Sequence, residues 1–188
     1  MEVKSLEIEE VKIAVPRRFG DERGFFEQLY HQREYIQGGI DGQFVQFNWS
    51  RSRKGVLRGL HYQLANPQAK LITVVRGAIF DVAVDIRKGS PTFGKWVGAE
   101  LSEENGEQLF IPEGFAHGFN VLSDTVDLIY QCSRFYAPGD EYGIQWNDPD
   151  LGIQWPEVGD EPIVSDKDKA NPTLSAQSER KLPSYGGK

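Results

Sequence analysis

The feature that most restricts the fold of this chain is a series of short alternating segments, separated by glycine turns, between residue 43 and about residue 135. Successive side chains of a strand point to opposite faces, so a period of two indicates a strand with two different faces. In the first segment one face carries Val45, Phe47 and Trp49, and the other carries Gln46, Asn48 and Ser50. We expect the aromatic face to belong to the core, and the segments together to form a sandwich or barrel.

Three later segments extend the β pattern. Residues 70–75 and 78–86 are rich in β-branched side chains, and the turn at Arg76 and Gly77 between them predicts a hairpin. Residues 125–135 alternate again, and one face of this predicted strand carries Val126, Leu128, Tyr130 and Cys132.

Little helix is predicted outside this β region. Residues 31–37 predict a short helix that ends at a pair of glycines, and the other short helices are expected near the C-terminus. Residues 171–188 are polar and predict a tail of low order. Because no linker interrupts the chain, residues 1–170 are predicted to form a single all-β domain.

The composition argues against several classes of protein. A formal net charge of −7 disfavours a nucleic-acid-binding protein, because affinity for phosphate backbones comes from clustered Lys and Arg. The single cysteine, Cys132, excludes an intrachain disulfide and fits a reducing cytoplasm. No apolar run approaches the roughly 20 residues that span a bilayer, and the first residues lack the apolar segment of a signal peptide. We therefore expect a cytoplasmic protein that binds neither nucleic acid nor membrane.

A histidine and two cations lie close together in residues 55–70. His61 can titrate near neutral pH and act as a base. Arg58 and Lys70 can hold negative charge, either on a bound phosphate or on an oxygen that becomes charged during a reaction. The alternative is a structural histidine beside two solvated cations, and these residues alone do not decide between the two.

A second histidine, His117, lies in residues 106–120, where a glycine, a Pro-x-Gly step, a histidine and an asparagine follow one another. This spacing resembles the second motif of the cupin barrels. In metal-using cupins this histidine joins ligands from a first motif, a set suited to zinc, iron or manganese. Here the corresponding place carries residues 61–63 (HYQ), and the cation Lys70 downstream would repel a metal. We therefore expect a cupin-type jelly-roll barrel without a metal or a cofactor.

Six motifs, taken in chain order, resemble the dTDP-4-dehydrorhamnose 3,5-epimerase family. They are residues 21–24 (DERG), 58–63 (RGLHYQ), 70–71 (KL), 80–85 (FDVAVD), 111–119 (IPEGFAHGF) and 165–168 (SDKD). The ordered set is far more specific than any one of them. The resemblance implies a jelly-roll homodimer that inverts C3 and C5 of dTDP-4-dehydro-6-deoxy-D-glucose to form dTDP-4-dehydro-L-rhamnose, in dTDP-L-rhamnose biosynthesis.

The resemblance also implies a role for each catalytic candidate. His61 is the base that removes a proton next to the ketone, and Asp168 holds its other ring nitrogen. Lys70 stabilises the enolate oxygen, and Tyr130 returns a proton from the opposite face. Without the family motifs, Tyr130 would be assigned to the core and Asp168 to the solvated surface.

A second set of residues is expected to recognise the nucleotide and the sugar. By resemblance, Tyr136 stacks on the thymine. Since His61 is expected to be the base, His117 is expected to polarise or position the substrate. Charged and polar contacts to the diphosphate, the nucleotide and the sugar come from Arg23, Glu27, Gln46, Asn48, Arg58, Glu141 and Lys167. Arg58 and His61 are three residues apart and would point to opposite faces of a regular strand, so a bulge at Gly59 is expected.

The position of Arg23 and Glu27 in the chain bears on the assembly. Both lie ahead of the main run of strands, although the resemblance places them at the site. We therefore expect a homodimer whose N-terminal strands cross into the partner, an exchange that also covers exposed sheet edges.

Three alternatives stay open at this point. His61 and His117, with carboxylates from elsewhere, could serve a metal-dependent cupin enzyme. A jelly roll equally suits a non-catalytic module that binds nucleotide sugars, because fold does not determine function, although Lys70, Tyr130 and Asp168 together argue against it. A related epimerase that inverts C3 or C5 alone would carry the same residues.

Overall fold

The computed structural model describes residues 1–159 and 161–186. Its strands are β1 (Glu2–Ser5), β2 (Lys12–Val15), β3 (Arg18–Asp21), β4 (Gly24–Glu27), β5 (Gln46–Arg53), β6 (Leu57–Gln63), β7 (Lys70–Arg76), β8 (Ala78–Asp85), β9 (Trp96–Ser102), β10 (Gln108–Ile111), β11 (Phe115–Val121), β12 (Thr125–Cys132) and β13 (Glu141–Gly143). Its helices are α1 (Gln32–Gln37), α2 (Asp166–Lys169) and a 3₁₀ helix at Glu179–Lys181. None of the helices in these ranges is long and apolar enough to cross a membrane.

The strands form two antiparallel sheets that pack face to face. The larger sheet has the order β1-β2-β10-β7-β12-β5, and the smaller sheet has the order β13-β6-β11-β8-β9. Among the described strands, β3 and β4 pair only with each other, as a separate hairpin. This is the all-β jelly roll that the sequence predicts, with its few short helices, and the predicted first helix corresponds to α1.

Side-chain alternation places the main core and the interior polar groups on the same strand faces. The core between the sheets contains Ile72 of β7 and Leu128 of β12. Two residues away on the same faces, Lys70 precedes Ile72 and Tyr130 follows Leu128. The inner face of each strand therefore runs from an apolar core into a polar cavity. The shared face predicted for β12 is confirmed.

The inward face of β5 is the polar one, so the prediction that Phe47 and Trp49 belong to the core is wrong. Phe47 is 59% exposed and Trp49 is 68% exposed, whereas Gln46 and Asn48 point into the cavity. Alternation determines which residues share a face, but it does not determine which face is inside. β5 is an edge strand of the larger sheet, and its outer aromatic face is exposed in the single chain.

The chain crosses from the larger to the smaller sheet at Gly77, so the predicted hairpin between residues 70–75 and 78–86 is also wrong. The strand β7 pairs with β10 and β12, whereas β8 pairs with β9 and β11. Gly77 has a φ of +78°, and a Cβ atom there would lie 2.2 Å from the carbonyl oxygen of Thr125. A glycine turn suits both connections, because both need a tight change of direction at positive φ.

The C-terminal segment packs on the barrel, although a tail of low order was predicted. Leu174 and Leu182 are buried against the smaller sheet, and backbone hydrogen bonds join Lys88 to Pro183 and Tyr185. Two isolated leucines in a polar segment make too weak a pattern to indicate packing. Residues 187 and 188 of the predicted tail lie outside the described residues.

The buried position of Leu182 makes a test of this packing possible. We expect Leu182→Ala to lower the free energy of unfolding by about 2–5 kcal/mol, because the change removes buried methyl groups and leaves a cavity. The exposed Arg180→Ala in the same segment is the matched control, and it should change the free energy by less than about 0.5 kcal/mol. Denaturant titration measures both values. Equal small changes would mean that this segment does not pack on the barrel.

Candidate active site

One cavity of about 400 Å³ opens between the two sheets and collects most of the predicted site residues. The wall formed by the smaller sheet carries Arg58, His61, His117, Gly118, Phe119 and Glu141. The wall formed by the larger sheet carries Gln46, Asn48, Ser50, Lys70, Leu128, Tyr130 and Cys132. Gln68 and Tyr136 complete the lining from loops. The two walls therefore carry different functional groups.

His61 binds a buried carboxylate through one ring nitrogen. Its Nε2 lies 2.6 Å from Oδ1 of Asp168, and the backbone N–H of Gly59 donates to Oδ2 at 3.2 Å. Burial alone would raise the pKa of Asp168, but these hydrogen bonds and the charge of His61 hold that pKa below its usual range. In the described part of the chain nothing hydrogen-bonds Nδ1 of His61. This nitrogen can therefore take a proton from a molecule in the cavity.

A serine cap sets the position of Asp168. The Oγ of Ser165 accepts a hydrogen bond from the backbone N–H of Asp168 at 3.1 Å and so begins α2. Asp168 is the buried residue of this short helix and is 3% exposed, while its charged neighbours face solvent. The interpretation of Asp168 as a solvated charge is therefore excluded.

The strand β6 departs from regular geometry between Arg58 and His61, as predicted. The register between β6 and β11 shifts at this point, and both side chains line the cavity. Gly59 has a φ of +129°, and a Cβ atom there would lie 2.5 Å from Cα of Gly118. Glycine is needed here because two backbones approach closely in a conformation that other residues rarely adopt.

A second histidine–carboxylate pair lies beside the first. Nε2 of His117 is 2.6 Å from Oδ1 of Asp81, and His117 lies directly opposite His61 in the strand register. Burial lowers the pKa of His117; Asp81 opposes this shift, and Lys70 adds to it. The ring of His117 is therefore neutral at neutral pH.

Lys70 and Tyr130 face these pairs from the larger sheet. Burial lowers the pKa of Lys70, although Cys132 and Asp81 act in the opposite direction. Burial raises the pKa of Tyr130, so the phenol keeps its proton at neutral pH and has it available to donate. Tyr130 packs against the main core and also lines the cavity. The same side chain therefore contributes to packing and to the site.

The outer end of the cavity carries an aromatic ring and a charged network. The hydroxyl group of Tyr136 donates to Oε2 of Glu141 at 3.3 Å, and the ammonium group of Lys167 donates to the same oxygen. Oε1 of Gln46 accepts the backbone N–H of Tyr136 at 2.7 Å, and Nε2 of Gln46 donates to Asn48 at 3.0 Å. The polar face of β5 is thus tied to the loop that carries Tyr136.

Four predicted site residues do not line the cavity. Asp168 and Lys167 bind the lining residues His61 and Glu141, whereas Arg23 and Glu27 hydrogen-bond no lining residue among those described. Arg23 and Glu27 belong to the β3–β4 hairpin, where Arg23 pairs with Asp21 and Glu27 pairs with Arg18. The side chain of Arg23 is 85% exposed. Within one chain, the structure therefore does not bring these two residues to the site.

The donor set of the cavity does not resemble that of a metal-dependent cupin. Within residues 1–159 and 161–186, no three His, Cys, Asp or Glu side chains cluster as a metal site requires. Each cavity histidine uses one nitrogen on its own carboxylate, and Lys70 adds a positive charge beside them.

The sequence left several residues of the site unassigned, among them Ser50, Cys132 and Asp81. Ser50 and Cys132 line the cavity, and they continue the alternating faces of Asn48 and Tyr130, so the strand period could have identified them. Asp81 is separated from His117 by 36 positions, and no local signal marks it as the partner of a histidine.

Comparisons with known proteins agree with this geometry. A family model described as dTDP-4-dehydrorhamnose 3,5-epimerase matches residues 5–176. The enzyme of that name from Pseudomonas aeruginosa is 52% identical over 170 residues, which cover 90% of this chain and 93% of the relative.

Two solved structures extend the match to the fold. A crystal structure of dTDP-6-deoxy-D-glucose-3,5-epimerase from Legionella pneumophila, in complex with dTDP-4-keto-L-rhamnose, has a TM-score of 0.95, 49% identity and coverage of 99% of each chain. A 3'-monoepimerase from Streptomyces bikiniensis, in complex with dTDP-quinovose, has a TM-score of 0.89, 39% identity and coverage of 98% of this chain and 93% of the other. With its sequence and its fold matched over nearly their whole length, this chain belongs to the dTDP-4-dehydrorhamnose 3,5-epimerase family, a family of isomerases.

Proposed function

We propose that this chain converts dTDP-4-dehydro-6-deoxy-D-glucose to dTDP-4-dehydro-L-rhamnose by inverting C3 and C5, without a metal or a cofactor. The observation that carries the proposal is the histidine–carboxylate pair and the phenol on opposite walls of one cavity. Inversion removes a proton from one face of the sugar and returns another to the opposite face. A sugar held between the two sheets meets one such group on each face.

His61 supplies the base. The hydrogens on C3 and C5 are acidic because both carbons adjoin the C4 ketone, whose oxygen takes up the charge of the carbanion. The Nε2–H group of His61 donates to Asp168, which leaves the lone pair of Nδ1 for the proton. The carboxylate then stabilises the imidazolium ion that forms.

Lys70 stabilises the enolate oxygen. Its ammonium group forms no hydrogen bond or salt bridge with another residue in the described ranges, so its donors are available to a ligand in the cavity. A cation in a site shielded from water stabilises a developing oxyanion more strongly than it would in solution.

Tyr130 returns the proton from the opposite face. It lies on β12 of the larger sheet, across the cavity from His61 on β6 of the smaller sheet. Its raised pKa keeps it protonated until the enolate forms. Protonation from this side gives the inverted centre.

The outer end of the cavity recognises the nucleotide. Tyr136 is half exposed and presents its ring for stacking on the thymine. Arg58, whose guanidinium group donates to Ser52 Oγ at 3.0 Å and 3.2 Å, and Lys167 provide positive charge for the diphosphate. Glu141, Gln46 and Asn48 supply polar contacts to the nucleotide and the sugar.

A homodimer with exchanged N-terminal strands completes the site. The β3–β4 hairpin joins neither main sheet and exposes Phe19, Phe25 and Phe26. Exposed aromatic surface of this kind marks an interface, and the uncovered outer face of β5 adds to it. In this arrangement Arg23 and Glu27 of each protomer reach the cavity of the other.

Inversion at a single carbon is the second candidate function, because a relative with a TM-score of 0.89 is a 3'-monoepimerase. Incubation with the 4-keto sugar nucleotide in heavy water separates the two candidates. Double inversion places deuterium at C3 and C5, whereas single inversion labels one carbon.

We also propose the cytoplasm as the compartment. Cys132 is a free buried thiol, and thiols stay reduced in that compartment.

The base assignment predicts different effects for the three histidines. We expect His61→Ala to lower kcat by about 10²- to 10⁴-fold, the usual loss when a positioned base is removed. His117→Ala should retain more activity, because His117 takes no proton, and the exposed His31→Ala is the control with parent activity. NMR of sugar nucleotide recovered from heavy water should show no label for His61→Ala. Label and turnover at the parent rate would refute the assignment.

The acid assignment predicts that Tyr130→Phe separates hydrogen exchange from inversion. The ring keeps its packing, so the protein should fold, and His61 can still remove a proton and return a solvent proton to the same face. We expect deuterium uptake with little change of configuration at C3 and C5, read separately by NMR. Tyr185→Phe, outside the cavity, is the control. Epimerisation by Tyr130→Phe at the parent rate would leave Tyr130 with a packing role alone.

The exchanged dimer predicts that two defective chains complement each other. In a heterodimer of Arg23→Ala and His61→Ala, one site combines an intact His61 with an intact Arg23 from the partner, and the other site lacks both. We expect the purified, doubly tagged heterodimer to show about half the parent activity, since one of its two sites is complete. If the heterodimer is no more active than the Arg23→Ala and His61→Ala homodimers, Arg23 serves the site of its own chain.

A further inference from the structure

Asp81 is a fully buried carboxylate beside the cavity, and no step described above uses it. Its Oδ1 lies 2.6 Å from Nε2 of His117. Its Oδ2 has no hydrogen-bond partner in the described part of the chain. The bond to His117 is thus the one hydrogen bond that the side chain of Asp81 makes with the described residues. A buried charge without a donor is costly, so the ring proton of His117 is held on Nε2.

This contact determines which nitrogen of His117 is left for a ligand. A neutral imidazole has one N–H donor and one acceptor nitrogen. Burial and the nearby charge of Lys70 keep the ring neutral, and its N–H is used by Asp81. Nδ1 therefore carries a lone pair, and no described residue donates to it. Because the ring lines the cavity, this lone pair is the polar group that His117 can offer to an occupant.

We propose that Asp81 is a positioning residue that fixes His117 as a hydrogen-bond acceptor, so that Nδ1 recognises a hydroxyl proton of the bound sugar. The proposal rests on the proposed function, because it takes a sugar as the occupant. It also refines the role of His117: a neutral acceptor positions a hydroxyl group and does not polarise the ketone. The ketone oxygen is left to the donors of Lys70.

The two histidine–carboxylate pairs differ in a way that supports this division. The side chain of His61 is 28% exposed, and its partner Asp168 has a further donor in the N–H of Gly59. The side chain of His117 is 10% exposed, and Asp81 has no further donor among the described residues. The ring of His61 is open to solvent beside a carboxylate with two donors, whereas His117 is enclosed and kept in one neutral form.

The first test reads the tautomer directly. In the parent protein with ¹⁵N-labelled histidine, NMR at neutral pH should show His117 neutral and protonated on Nε2, with its signals assigned by their loss in His117→Ala. A proton on Nδ1, or on both nitrogens, overturns the proposal. If the parent protein epimerises the sugar nucleotide but has the other tautomer, this inference alone fails. If the parent has no epimerase activity, the proposed function fails.

The second test removes the acceptor. In Asp81→Leu the leucine side chain is similar in size to the aspartate but cannot accept a hydrogen bond from Nε2–H of His117. The ring proton of His117 should therefore move to Nδ1, where it can hydrogen-bond to water in the cavity. We expect kcat/KM to fall by about 10- to 100-fold, as for other partners that orient a histidine, with most of the loss in KM because the hydroxyl contact exists before the reaction.

A matched variant separates this role from a structural one. Thr73→Val also removes a buried polar group, since Thr73 accepts a bond from Gln108 at 2.8 Å away from the cavity lining. It should reduce stability and leave the His117 tautomer and the kinetics unchanged. If Asp81→Leu behaves in the same way, Asp81 is merely structural and the proposal is overturned.

Discussion

The geometry of the site depends on the hydrogen bond between His61 and Asp168, which joins the smaller sheet to the short helix α2. Each partner of this hydrogen bond is positioned by a local feature of the chain. Gly59 lets β6 bulge and donates its N–H to the carboxylate, and Ser165 begins the helix that buries Asp168. A buried carboxylate that lost these donors would be strongly destabilising. The same bond that orients His61 therefore also helps to hold the C-terminal part of the chain against the barrel.

The two-sheet architecture is what the proposed inversion of a carbon in one small cavity requires. Each strand presents a single face to the interior, so the groups on opposing sheets approach an occupant from opposite sides. The smaller sheet contributes histidines held by carboxylates, and the larger sheet contributes Lys70 and Tyr130. Burial acts differently on these groups: it keeps Tyr130 protonated and His117 neutral. The different groups on the two walls, and their different protonation, therefore follow from the fold and from burial together.

Part of this arrangement could be predicted from the sequence, and the reasons for the failures are physical. The period of two correctly grouped the residues of β5 and β12, and two site residues three positions apart required the bulge at Gly59. The period could not say that Phe47 and Trp49 face outward, because that depends on what covers the sheet. Gly77 was misassigned because hairpins and crossovers use the same turn chemistry, and long-range pairing decides between them. Asp81 belongs to the motif at residues 80–85 but was given no role, because His117 is brought next to it only by the fold.

The central claim is that the sugar lies between a base on one wall and an acid on the other. A crystal structure of the dimer with a bound dTDP-sugar tests it most directly. We expect Nδ1 of His61 and the hydroxyl oxygen of Tyr130 to lie on opposite faces of the sugar ring, each within about 3.5 Å of a reacting carbon, with the ammonium group of Lys70 next to the C4 oxygen. Both groups on the same face of the ring, or Tyr130 out of reach of C3 and C5, would contradict it.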